Sequence, residues 1–204
     1  MKLPVYYLPP IEWFRDYLMN EDVVLDTEEI FQKQTLRNHC MIDSPQGALK
    51  LTVPIEKVVG RTAMKDVRIS NHGDWKHKHW HAIETSYYNS PYFEYLQDDF
   101  RRVYDKNTKF LLDFNLELIN VCMDLLEIPN SKSQIQNSKL IAPKPSDERD
   151  TPPAMEVYYQ VFDYKHGFLP GLSIIDLLFN MGKEALLVMT SKPYHSHITD
   201  LTKT

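Results

Sequence analysis

Four of the eight histidines in this 204-residue chain, His72, His77, His79 and His81, crowd into one stretch. An imidazole titrates near neutral pH, so it can donate a proton, accept one or bind a metal without special tuning. On a helix His77 and His81 are four apart and share a face, half of a metal site. His79 then points away from both, and neither HExxH nor CxxC is present; no metal ligands are assigned. His79 is instead a candidate proton carrier. So is His166, because Gly167 after it suggests a turn that exposes the imidazole.

The block Gln32-Lys33-Gln34-Thr35-Leu36-Arg37-Asn38-His39 is polar, yet it lies between two expected strands. Lys33 and Arg37 are four apart, and a helical turn aims both at one anion. Arginine grips a carboxylate or phosphate with two parallel hydrogen bonds, which lysine cannot do. An exposed turn with solvated charges is the alternative. Cys40 follows His39, but neighbours on a strand face opposite ways. Cys122 sits in an apolar helix stripe and reads as core. Ser173 with Asp176 reads as a helix cap of the S-x-x-D type.

The elements that must carry these groups follow from periodicity and punctuation. Residues 5–8 read as an opening strand, and Pro9-Pro10 starts a helix bearing Ile11, Phe14, Tyr17 and Leu18. Residues 23–25 read as a buried strand and 28–35 as a helical turn. Residues 40–54 suggest a hairpin around Ser44-Pro45-Gln46-Gly47, and 67–69 another strand. Helices are expected from Trp75 to about Tyr88, from Ser90-Pro91 to about Tyr104, and over 107–127. Residues 155–162 read as a strand, and a last helix starts after Ser173. Residues 129–153 hold five prolines and little periodicity, the pattern of a linker or mobile loop. The tail from Thr190 reads as loosely ordered. The fold class is therefore mixed α/β in one domain over 1–190, with short strands in the N-terminal half and mostly helices after residue 74.

Composition excludes several classes. An apolar fraction of 43% supports a packed core. No apolar run approaches the roughly 20 residues of a membrane span, and prolines interrupt the N-terminus where a signal peptide needs an apolar core. Two cysteines make no disulfide framework, so a cytoplasmic protein is expected. Six glycines form no GxGxxG, P-loop or GxSxG motif. The net charge of −5 hides a reversal. Residues 57–81 carry six basic side chains against Asp66 and Asp74, while 1–29 and 84–127 are acidic. A basic centre in an acidic protein suits an anionic small molecule and not a nucleic acid.

Several segments together resemble the WbqC-like protein family, in its Bacteroidetes-type form. They are Tyr7-Leu8-Pro9-Pro10-Ile11-Glu12-Trp13-Phe14, the Gln32–Asn38 block, Leu51-Thr52-Val53-Pro54-Ile55 and Asp66-Val67-Arg68-Ile69-Ser70. Trp75-Lys76-His77-Lys78-His79-Trp80, Ser90-Pro91-Tyr92-Phe93 and Asp113-Phe114-Asn115-Leu116 follow. The longest runs from Phe168 to Gly182 as FLPGLSIIDLLFNMG. The resemblance implies a role in surface-polysaccharide (O-antigen or capsule) biosynthesis, as an acyl- or aminoacyl-transferase on a sugar. The alternative is a non-catalytic nucleotide-sugar- or glycan-binding scaffold of the same pathway. It implies His79, His166 and Asp176 as catalytic residues, and Gln32, Lys33, Arg37, Asn38 and Asn180 as substrate-binding ones. Residues 129–153 stand where many relatives carry a glycine-rich segment.

Overall fold

A computed structural model of the chain describes residues 1–20, 22–128, 133–135 and 157–191. The fold is mixed α/β. Strands β1 (Lys2–Pro4), β2 (Val23–Asp26) and β5 (Ser133–Ile135) form a parallel sheet in the order β1-β2-β5, with Leu3 opposite Leu25 and Leu25 opposite Ile135. Between β1 and β2 runs helix α1 (Ile11–Met19), which buries Ile11, Trp13, Phe14 and Tyr17. This is the short parallel crossover that a helix makes possible. Strands β3 (His39–Ile42) and β4 (Leu49–Thr52) form the expected hairpin, closed by a Gly47 N–H to Ser44 carbonyl bond of 2.9 Å.

Helices α2 (Trp75–Tyr87), α3 (Phe93–Asp105) and α4 (Leu111–Leu125) follow, and α3 packs against both α2 and α4. Their register confirms the apolar stripes: Phe100, Val103 and Tyr104 of α3, and Leu111, Phe114, Leu118 and Cys122 of α4, are all buried. Each such side chain contributes roughly 1.5–3 kcal/mol by leaving water. The short α5 (Asp163–His166) precedes α6 (Ile174–Met181), whose seven residues from Ile174 to Asn180 are all buried. Helix α6 threads between α1, α3 and α4, and α7 (Ala185–Thr190) closes against α1. Gly182 ends α6 with φ of 55°, and a Cβ there would meet the Tyr92 ring at 2.7 Å, so glycine alone lets α3 begin against α6.

Four local expectations are corrected. The first strand lies at Lys2–Pro4, not 5–8. Val5, Tyr6, Tyr7 and Leu8 are all buried without alternation, and the Tyr7 amide bonds the Leu36 carbonyl, not a ladder partner. Residues 28–35 form no helix: Ile30 bridges Ala63, and Gln34 takes a left-handed φ of 62°, which breaks a helical turn. Residues 67–69 make isolated bridges to Ile55 and Phe110 in place of a strand. Residues 157–160 are irregular although Tyr158 and Gln160 point inward while Val157 and Tyr159 point out. The alternation was real, but its inward groups bond side chains and the Leu169 backbone instead of a neighbouring strand. Most of 129–153, and the tail beyond Ser191, lie outside the described residues.

Candidate functional site

Hairpin, α5 and α6 meet around two aspartates. Asp43 follows β3 directly and is fully buried. His166 ends α5, and Gly167, at φ of 76°, turns the chain there so that the imidazole reaches back to the hairpin. Its Nε2 lies 3.0 Å from Asp43 Oδ1 and 3.2 Å from the Ser44 carbonyl, while Nδ1 lies 2.9 Å from the Gly167 carbonyl. With an acceptor at each nitrogen, the doubly protonated ring is favoured. The Gly167 carbonyl, with Asp43 and Ser44 adding to it, raises the His166 pKa above its ordinary value. Burial raises the Asp43 carboxyl, and the facing imidazole works against that rise. Only 19% of the His166 side chain is exposed, yet it is the one titratable group of the cluster that reaches solvent to this degree.

Behind this pair stands Asp176, fully buried on the first turn of α6. Ser173 caps that helix as expected, its Oγ accepting from the Ile175 amide at 3.4 Å. Asp176 does not complete the capping box. Its carboxylate turns inward, where the Tyr87 hydroxyl donates to Oδ1 at 2.9 Å and the Tyr158 hydroxyl to Oδ2 at 2.6 Å. Gln160 Nε2 adds a bond of 3.2 Å to Oδ2, and Asn180 Nδ2 donates to the Asp176 carbonyl at 2.8 Å. Burial lifts the Asp176 carboxyl to about 6, against the lowering effect of the two tyrosine bonds, and neighbouring Asp43 raises it further. Tyr87 ties the two aspartates together, since its oxygen also accepts the Asp43 amide at 3.1 Å. Gln160 clamps the loop that carries His166 by bonding both polar groups of the Leu169 backbone, at 2.8 and 2.9 Å.

His166, Asp176 and Asn180 thus share one cluster. His79 does not. On α2 it is 7% exposed, edge-on to Trp75 and against Tyr7, whose hydroxyl lies 3.0 Å from Nδ1. Its other polar contact is the Thr52 backbone, and Tyr104 in turn hydrogen-bonds the Tyr7 hydroxyl. Desolvation lowers the His79 pKa to about 4, opposed by the Thr52 contact, so the ring is neutral at pH 7. His77 and His81 stack in parallel on the exposed face of α2, with ring centres 6.4 Å apart. Among the described residues no group of three or more His, Cys, Asp or Glu side chains has metal-binding geometry.

The anion-binding pair is not brought together. Arg37 is 2% exposed, and its Nη2 bonds Glu29 Oε2 at 2.5 Å, with Nη1 on the Thr35 hydroxyl at 3.2 Å. Lys33 is exposed on the preceding turn, because this block forms two turns and not a helix. Gln32 is half-buried, its carbonyl accepting from the Thr35 hydroxyl, and Asn38 is buried with Nδ2 on the Val53 carbonyl at 3.2 Å. These contacts brace the chain ahead of β3. Cys40 and Cys122 are buried free thiols with pKa values pushed up by burial.

Sequence reasoning passed over Asp43, Tyr87, Tyr158 and Gln160. An acid directly between an apolar strand and a Ser-Pro-x-Gly turn was a usable signal for Asp43. Inward alternation marked Tyr158 and Gln160, and nothing local marked Tyr87.

The mixed α/β fold thus carries a partly exposed histidine beside a buried carboxylate at its rim. The chain belongs to the WbqC-like protein family, whose model matches residues 5–157. That match takes in Asp43, His79 and Tyr87, while His166, Asp176 and Asn180 lie beyond it. The chain is also 26% identical over 215 residues to the uncharacterized protein Rv1507c of Mycobacterium tuberculosis (strain ATCC 25618 / H37Rv), covering 88% of this chain and 92% of that one. No solved structure matches it. Among the described residues no helix is long and apolar enough to cross a membrane.

Proposed function

We propose that this protein acts in bacterial surface-polysaccharide (O-antigen or capsule) biosynthesis, in the cytoplasm, as a transferase that moves an acyl or aminoacyl group onto a sugar. Family membership supports the pathway, and one observation supports the chemistry: a partly exposed imidazole that lies 3.0 Å from a buried carboxylate. In this reading Asp43 orients His166 through Nε2, and Nδ1 exchanges the Gly167 carbonyl for the substrate. The Nδ1 proton of the charged ring passes to the donor's departing carrier as the sugar hydroxyl or amine bonds the acyl carbon, and the ring then takes up the proton that the sugar loses. Asp176, Tyr87, Gln160 and Asn180 hold the loop and hairpin in register. His79, enclosed and neutral, serves the core.

A non-catalytic, glycan-binding scaffold is the second reading. The observation that favours it is that both His166 nitrogens already have protein acceptors. Deleting the gene and weighing the surface polysaccharide by mass spectrometry separates the two. Loss of one acyl or aminoacyl substituent, restored by the wild-type gene and not by His166→Gln, is expected. Restoration by His166→Gln selects the scaffold, and an unchanged glycan removes both.

A further inference from the structure

With Arg37 closed off against Glu29, an anionic substrate needs a different anchor, and one stands beside His166. Five aromatic residues fall in the segment around it: Tyr158, Tyr159, Phe162, Tyr164 and Phe168. Tyr158 and Phe162 pack inward, whereas Tyr164 is 73% exposed and Tyr159 50%. Single surface tyrosines are ordinary. Here they come with a placed cation. The Lys165 ammonium lies 5.5 Å from the Phe162 ring centre and 5.8 Å from that of Tyr164. The His166 ring lies 6.5 Å from the same Phe162. No carboxylate among the described residues pairs with Lys165. Two cationic groups therefore flank one ring, with an open phenol beside them.

We propose that Tyr164, Lys165 and His166 form a binding site for a saccharide that carries a phosphate or a carboxylate. The apolar C–H face of a pyranose lies on the Tyr164 ring, whose hydroxyl stays at the wet edge. The anion meets the Lys165 ammonium, a point charge on a flexible stem that adapts to either group. The acceptors at both His166 nitrogens favour its charged form, which adds positive charge beside the Lys165 ammonium. Phe162 holds both cations in place by packing, and the Gln160–Leu169 clamp keeps the loop from splaying. Tyr159, on the same segment, extends the aromatic surface. The site rests on the reading of His166 as the reactive centre, but binding is measured without turnover and stands or falls separately.

The test is a calorimetric or NMR titration of the full chain with glucose phosphate, glucuronic acid, methyl glucoside and inorganic phosphate. At least one of the two charged sugars is expected to bind roughly tenfold more tightly than methyl glucoside. Whichever of them binds identifies the anion as phosphate or carboxylate. Lys165→Ala should bring that sugar down to the level of methyl glucoside, and Lys165→Arg should keep most of the difference. Tyr164→Ala should weaken every sugar by about threefold to fivefold and leave inorganic phosphate unchanged. Both positions are exposed, so the variants are expected to fold, with circular dichroism as the check. Binding of no probe, unchanged affinity in Lys165→Ala, or inorganic phosphate binding as tightly as glucose phosphate overturns the proposal. Binding as predicted together with an unchanged glycan in the deletion strain would keep the site and remove the transferase reading.

Discussion

His79 and His166 are the same side chain in two regions of one fold, and their surroundings drive them apart. Around His79 stand Trp75, Tyr7 and the Thr52 backbone, with no carboxylate in contact among the described residues. Losing water there costs the charged form more than these neutral partners return, and the pKa falls to about 4. Around His166 stand the Gly167 and Ser44 carbonyls and the Asp43 carboxylate, and the pKa rises. Burial without an opposite charge makes a structural imidazole, and a buried carboxylate behind a rim imidazole makes one that can exchange protons. The type of residue was the same in both places; the second residue facing it differed.

The comparison extends to the other buried charges, and breaking them has the largest expected effect. Arg37→Ala removes the guanidinium that pairs with the buried Glu29 carboxylate at 2.5 Å, so unfolding free energy should fall by about 3–5 kcal/mol in urea denaturation. If the loss is under about 1 kcal/mol, Arg37 is no core brace and its place as a ligand anchor reopens. On the rim side, Asp176→Ala strips the acceptor from Tyr87, Tyr158 and Gln160 at once. A loss of about 2–4 kcal/mol is expected by the same measurement.

The pH dependence sharpens the contrast through opposite signs. The folded-state pKa of His79 is depressed, so the unfolded chain binds its proton first as pH falls. Its contribution is complete above about 6.5 and is lost progressively down to about 4, by about 3 kcal/mol in total. Asp176 behaves in reverse: its pKa is raised from 3.8 to about 6, so the folded chain keeps that proton longer. Stability from Asp176 is present below its unfolded value and declines as pH rises toward about 6. In the wild type the two slopes oppose each other over this window. Replacing His79 with leucine should remove its rising slope, so that between about 4 and 6 stability rises less, or falls more, with pH than in the wild type. A pH profile parallel to that of the wild type would show that His79 is not held neutral in the fold.

The smallest effects belong to the rim pair. Asp43→Asn removes a charge facing His166, and the imidazole pKa read by NMR should drop below its wild-type value. His166→Gln keeps an amide donor within reach of the buried Asp43 carboxylate and the Ser44 carbonyl, so stability should fall by about 1 kcal/mol, less than in Asp176→Ala. If that variant unfolds as readily as Asp176→Ala, His166 is a brace like His79 and the two regions differ less than their pKa directions suggest.

Much of this was legible without coordinates. The stripe Leu111, Phe114, Leu118 and Cys122 dictates a buried helix wherever it folds, because period and burial are local properties. The Ser44–Gly47 turn, the Ser173 cap and the mixed α/β class come from the same local chemistry. His166 was marked by the glycine after it. What stayed hidden was pairing at a distance. Lys33 and Arg37 were spaced for one anion, but Gln34 turned left-handed and Glu29 claimed the guanidinium. Asp176 sat where a helix cap belongs, and two tyrosines, 89 and 18 residues away along the chain, drew it inward. Sequence by itself determined the helices, the hairpin and which residue types were on hand. Only the tertiary structure decided which histidine met a carboxylate and which met tyrosine and water-free packing, because protonation depends on neighbours that the chain brings together only by folding.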